Sequence, residues 1–175
     1  MIRSTLLFVV GAIIAIGVAY CALVALKGRK GALSALFGPV QREQVDFAQL
    51  RLKLSPNQYL VCPDGYCSEQ AHSVAPEFSI SADQLQAAWF NVIEAQPATE
   101  VIARNEGERQ FDIETLTPLV GFPDTVTVRF IELPDGRSTL AIYSRSHYGR
   151  SDLGANKKRI DQWLGQIIGQ VHEND

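Results

Sequence analysis

An uncharged run opening at Thr5 and closing at Leu26 constrains this chain more than any other feature. Its roughly 22 residues, at about 1.5 Å of helical rise each, match a hydrocarbon core of about 30 Å. Leu, Ile, Val and Phe supply a dozen of them, each adding roughly −0.3 to −0.6 kcal/mol to insertion. A lipid bilayer entered through residues 5–26 is therefore the first expected partner. The rival is a cleaved signal peptide, whose apolar region is shorter, about 7 to 15 residues, and ends at a small-x-small site. Apolar sequence runs on for another turn or more past Ala15, Ile16 and Gly17, and Tyr20 before Cys21 lacks the small residue of a lipoprotein signal. The run is read as a retained transmembrane helix. Gly11, Ala15 and Ala19 form a small-residue ridge at i, i+4 and i+8, a candidate helix-helix dimer surface, although Gly and Ala are also ordinary in membrane helices. Residues 31–37 either continue the helix or lie along the interface, with Leu33, Leu36 and Phe37 on lipid.

Charge separates this anchor from the rest. Arg3, Lys27, Arg29 and Lys30 are the only charged side chains in the first thirty residues of a chain whose net charge is −3, so the remainder carries about −7. An acidic domain argues against nucleic acid, because phosphate binding needs clustered excess Lys and Arg. At 175 residues there is room for one domain with a core plus the anchor. The expected organisation is an anchor over 1–30, an interfacial and irregular entry segment over 31–76, and an α+β domain over 77–175.

The entry segment from Pro39 to Pro76 lacks periodicity and is rich in Pro, Ser, Asn, Gln and Asp. Tyr59, Leu60 and Val61 suggest a short edge strand. Between Cys62 and Cys67 lies a Pro63-Asp64-Gly65 turn, which folds the chain back and brings the two Cα atoms toward the roughly 4.4 to 6.8 Å that a disulfide needs. A disulfide ranks first, two free thiols second, and a metal site with His72 last, since zinc wants four ligands and tighter cysteine spacing. Sidedness pulls two ways. Lys27, Arg29, Lys30 and Arg42 outweigh Arg3 and favour a cytoplasmic domain, whereas an oxidised cysteine pair places it outside.

In the domain, Ser81 with Gln84 forms a capping box, and Ile80 with Leu85 is spaced for a hydrophobic staple. Leu85, Ala88, Trp89, Val92 and Ile93 then share one helical face until Pro97. Four strands are expected over 99–104, 109–117, 125–133 and 137–148, with turns at Asn105 to Gly107 and Pro134 to Gly136 making hairpins of the first and last pairs. A last helix is expected from about Asp152, with its apolar stripe continuous from Ile160. Helix, four strands and helix give a two-layer α+β sandwich of a mainly antiparallel four-stranded sheet and two helices behind the transmembrane helix.

The chemistry-bearing residues concentrate between Ser144 and Arg159, where the last strand turns into the last helix. Two readings compete. In the first, Asp124, Ser144, Ser146, Asp152 and Asn156 form a polar latch. Asp152 caps the helix, Asn156 satisfies the strand serines, and Arg145 or Arg159 pairs with Asp152 or Asp124. In the second, the surplus basic residues Arg145, His147, Arg150, Lys157, Lys158 and Arg159 hold an anionic ligand or lipid head group. A hydrolase would recruit Ser144 or Ser146 with His147 and Asp152, but adjacent strand residues point to opposite faces. No nucleophile elbow, phosphate loop, dinucleotide fingerprint or His-Glu-x-x-His is present, so no catalytic residue, cofactor or metal is assigned.

Several of these residues carry a family resemblance. Gly121-Phe122-Pro123-Asp124, Tyr143 to Ser146, Gly149, Ser151-Asp152-Leu153-Gly154, Asn156 and Arg159, with Ser55-Pro56-Asn57 and the Cys62 to Cys67 turn upstream, resemble domain of unknown function 1499. The resemblance spans roughly residues 46–171. It implies a membrane-anchored or exported bacterial protein without an assigned activity, and supplies no catalytic residues. An Arg is commoner in that pattern where this chain has His147, which counts against His147 as an essential acid or base. The expectation is a single-pass protein of the bacterial inner membrane, its domain outside the cytoplasm and acting as a non-catalytic binding or scaffolding module. An anionic lipid or an envelope protein is the candidate partner. The alternative is an anionic-ligand-binding or hydrolytic domain built on Arg145, His147 and Asp152.

Overall fold

The computed structural model describes residues 2–118 and 120–173, with side chains from Thr5 to His172, so the Arg3 side chain counted above lies outside the described residues. By internal contacts the chain divides into two units, Met1–Gln41 and Arg42–Asp175.

The first unit is helix α1, Ile2–Phe37, broken at Gly28, where φ 69° and ψ 169° interrupt the helical path. A residue with a Cβ adopts that conformation only with strain, so Gly is the natural break point. The segment Thr5–Phe37 is long and apolar enough to cross a membrane, with mean hydropathy 2.7, properties it shares with signal sequences. Chain 31–37 is helical, beyond the break.

The second unit is built on a six-stranded mixed sheet in the order β2-β1-β6-β5-β4-β3. The strands are β1 Gln58–Cys62, β2 Ser73–Val74, β3 Thr99–Asn105, β4 Gln110–Leu116, β5 Pro123–Glu132 and β6 Ser138–Ser146. Helices α2, Ala82–Glu94, and α3, Ala155–Glu173, complete the unit. The four expected strands pair antiparallel as β3–β4–β5–β6. The expected four-stranded sheet is nevertheless too small. Residues Tyr59 to Val61 are not an edge, because β1 pairs antiparallel with β6 on one side and parallel with β2 on the other. The reason lies in β6, all nine of whose residues are buried and which therefore needs a hydrogen-bonding neighbour on both edges.

On one face of the sheet lie α2 and α3. The capping box of Ser81 and Gln84 forms, and Leu85, Trp89, Val92 and Ile93 pack with Ile113, Val126, Val128, Leu140 and Ile142. Trp89 meets Trp163 and Phe130 edge-on, with ring centroids 5.7 and 6.0 Å apart. The other face is not bare, as two layers would leave it. Val45 and Phe47 pack there with Leu60, Ala141 and Tyr143, joined by Leu50 and Leu52. The segment is tied down by Ser68 N donating to Phe47 O at 3.0 Å and Gln110 Nε2 donating to Val45 O at 2.8 Å. Apart from β1, residues 42–72 are thus irregular and packed within the compact unit.

Candidate functional site

Alternation along β6 sends Ser144 and Ser146 toward the helices and Tyr143 and Arg145 toward the entry segment. On the helix side the centre is Asn156, fully buried in the first turn of α3. Its Oδ1 accepts from Ser144 Oγ at 2.6 Å and from Arg159 Nη1 at 2.7 Å. Its Nδ2 faces Asn57 O at 3.1 Å, Ser146 Oγ at 3.1 Å and Asp152 Oδ2 at 2.8 Å. Arg159 extends the network, donating through Nη1 to Ser144 Oγ at 3.1 Å and through Nη2 to Asp124 Oδ2 at 2.5 Å. Asp124 is 1 % exposed, so this ion pair is largely removed from water.

The helix begins three residues later than Asp152. Leu153 and Gly154 take φ values of 52° and 80°, and α3 starts at Ala155. Asp152 nevertheless holds the helix entry: Oδ1 accepts from Gly154 N at 3.1 Å and Oδ2 from Asn156 N at 2.8 Å. Its carboxylate therefore serves orphan backbone donors.

On the opposite face, Arg145 is 7 % exposed, donates to Thr127 Oγ1 at 3.0 Å and lies 5.0 Å from the centre of the Tyr143 ring. Thr127 in turn donates to Asp112 Oδ1 at 2.5 Å. Burial lowers the Arg145 pKa, with Asp112 opposing, and burial raises that of Tyr143. His147 shares a hydrogen bond with Thr125 Oγ1 at 2.7 Å. Its pKa is lowered to about 4, first by burial and then by Arg145, Lys53 and Arg42, against which Glu114 acts weakly. Arg42 is ion-paired to the buried Glu114.

The sheet thus divides the basic residues. Arg145 and His147 lie on one side, Arg159 on the other, Arg150 is in the exposed connection, and Lys157 pairs with Asp161 while its Nζ sits 5.5 Å from the centre of the Tyr59 ring. Ser144, bonded to Asn156, and His147, bonded to Thr125, occupy opposite faces, so a serine-histidine pair does not assemble. Cys62 and Cys67 are joined as a disulfide with Cα atoms 6.2 Å apart, and His72 Nδ1 accepts from Leu60 N at 3.0 Å, which leaves neither side of the metal alternative available.

Residues 44–167 match the family model described as "Protein of unknown function (DUF1499)". The chain belongs to this family. No curated protein matches it. Among solved structures, a START superfamily protein from Mycobacterium smegmatis aligns with a TM-score of 0.35 and 11 % identity, over 58 % of this chain and 96 % of that one. In this DUF1499 domain the residue that sequence reasoning left out of the network is Asn57. Its Nδ2 donates to Gly149 O at 2.8 Å and its carbonyl accepts from Ser146 N at 3.0 Å, so it clamps the β6–α3 connection from the residue just before β1. The available signal was the Ser55-Pro56-Asn57 motif, which lies 92 positions from its partner Gly149.

Proposed function

We propose that this DUF1499 chain is a single-pass protein of the bacterial inner membrane whose domain lies outside the cytoplasm and binds or scaffolds without catalysing. Anchoring is supported by the apolar helix that contains residues 5–26. The external side is supported by the Cys62–Cys67 disulfide, since such bonds persist in oxidising compartments. The observation that carries the non-catalytic reading is the engagement of the reactive groups: Ser144 donates to Asn156, Asp152 accepts backbone N–H groups, and His147 bonds Thr125 across the sheet. These side chains lock the strand-to-helix corner.

The test is labelling of intact spheroplasts with a membrane-impermeant maleimide, with lysed cells and a Cys21→Ala variant as controls. Labelling of Cys62 and Cys67 in intact spheroplasts only after reduction is the expected result. Labelling that requires lysis and no reductant overturns the assignment of side.

A further inference from the structure

A cleft of about 340 Å³ opens between the first turns of α3 and the adjoining ends of β3 and β4, within the range of small-molecule sites. Its body is apolar, with Pro97, Leu116 and Trp163 in the wall, and Thr99 and Thr115 add hydroxyl groups. Among the described residues, the titratable side chains lining it are Lys158 and Arg159, both cationic, the second ion-paired with Asp124, in a domain that otherwise carries excess negative charge. Low-dielectric walls with one sign of charge concentrate the opposite sign.

Arg159 is unusually well placed. Three of its five N–H groups are committed: two on Nη1 to Ser144 and Asn156, and one on Nη2 to Asp124. Nε–H and the second Nη2–H have no partner among the described residues, and the side chain keeps 13 % of its surface open. Asp124, buried in β5, thereby fixes the guanidinium and leaves donors over. A held guanidinium with spare donors suits an oxyanion better than a mobile one, because little rotamer entropy is lost on binding. Exposed Lys158 adds charge on the same helix.

We infer that this cleft binds a small organic oxyanion, a carboxylate or phosphate monoester, with its head group on Arg159 and Lys158 and its apolar body against Leu116 and Trp163. The inference rests on the binding role proposed above, but not on the side of the membrane the domain occupies. It is tested on the purified full chain in detergent micelles by amide and indole NMR during titration with benzoate, phenyl phosphate and the neutral isostere benzamide. Shifts at the Trp163 indole and at Lys158, with Trp89 unmoved, are expected with benzoate, with phenyl phosphate or with both, and at least five-fold weaker binding with benzamide. Which anion binds more tightly identifies the head group. Lys158→Gln, on the exposed face, is expected to weaken binding at least three-fold with an unchanged spectrum elsewhere. Equal response to benzamide, an unchanged affinity in Lys158→Gln, or no shift at Trp163 at tens of millimolar probe would overturn the inference. None of these outcomes alters the maleimide result.

Discussion

Replacing Asn156 by Ala is the most direct way to measure the corner network. The side chain is fully buried and meets five polar partners, but not all are orphaned by its loss. Arg159 and Ser144 retain each other at 3.1 Å, and Asn57 O keeps the Ser146 amide at 3.0 Å. That leaves two bonds uncompensated, those to Ser146 Oγ and Asp152 Oδ2, at roughly 0.5 to 1.5 kcal/mol each, and a small cavity where the carboxamide was. The expected loss is about 3 kcal/mol, and at roughly 3 to 4 °C per kcal/mol for a domain of this size the Tm falls by about 10 °C. Trp89 and Trp163 are the only tryptophans and both lie in the helix-side core, so their fluorescence during urea unfolding of the full chain in micelles reports this domain alone. Asn156→Asp keeps the shape but turns donors into an acceptor facing Asp152, and it should lose as much. A double-mutant cycle with Ser144→Ala should show coupling of about 0.5 kcal/mol or more. A loss below about 1 kcal/mol for Asn156→Ala, with no coupling to Ser144, would refute the view that these groups hold the corner.

Three further outcomes are expected. Reducing the Cys62–Cys67 bond, which spans a sequence separation of 5, should cost about 2 kcal/mol from the loop-closure term, read as a lower urea midpoint with reductant present. Leu153→Gly should stabilise by about 0.5 to 1 kcal/mol, since Leu153 holds φ at 52° while 96 % exposed, so left-handed strain is relieved and no packing is lost; a lower Tm would contradict this. His147 should titrate at about 4 by NMR, below its ordinary 6.5. Between those values the unfolded chain binds a proton that the native state does not, so stability falls as pH drops from about 6.5 toward 4. A His147→Gln variant should lose less over that window than the native chain does, and an equal loss would show that other groups govern it.

The parts of the fold that were legible in the sequence are those fixed by local rules. The capping box of Ser81 and Gln84 depends on residues three apart, and the hairpin turns at Asn105 and Pro134 on their own dipeptides. Alternation from Ser144 to His147 was enough to place the serines and the basic residues on opposite faces. What escaped depends on the sheet as a whole. Strand β1 carries no alternation because both of its faces are covered, Tyr59 and Val61 by the helix-side core and Leu60 and Cys62 by the entry segment. Two-residue β2 exists only because β1 offers an edge. Val45, Phe47, Leu50 and Leu52 pack without helical or strand periodicity, so nothing local marks them as core. Asp152 looks like an N-cap, with Ser151 before it and an apolar stripe after it, and its carboxylate does accept helix N–H groups. The left-handed pair Leu153 and Gly154 delays the helix to Ala155, and a Leu at positive φ is not something propensity suggests.

The distribution of polarity along β6 suggests why the corner is polar at all. Its middle, Leu140, Ala141 and Ile142, is buried apolar surface on both faces, while its end, Ser144, Arg145 and Ser146, is buried polar surface on both faces. Apolar contacts tolerate sliding, since one aliphatic side chain fits against a facing core nearly as well as its neighbour. Directional bonds do not. A slip of one residue in the pairing of β6 with β5 would turn Ser144 away from Asn156 and drive the Arg145 guanidinium into the helix-side core, away from Thr127. The unpaired charge alone would cost several kcal/mol. The two networks, one on each face, therefore define the register of the central strand, and through Asn156 and Asp152 they define where α3 starts. The same Asn156 contact holds Arg159 against Asp124, so the groups that fix the register also fix the guanidinium presented to the cleft.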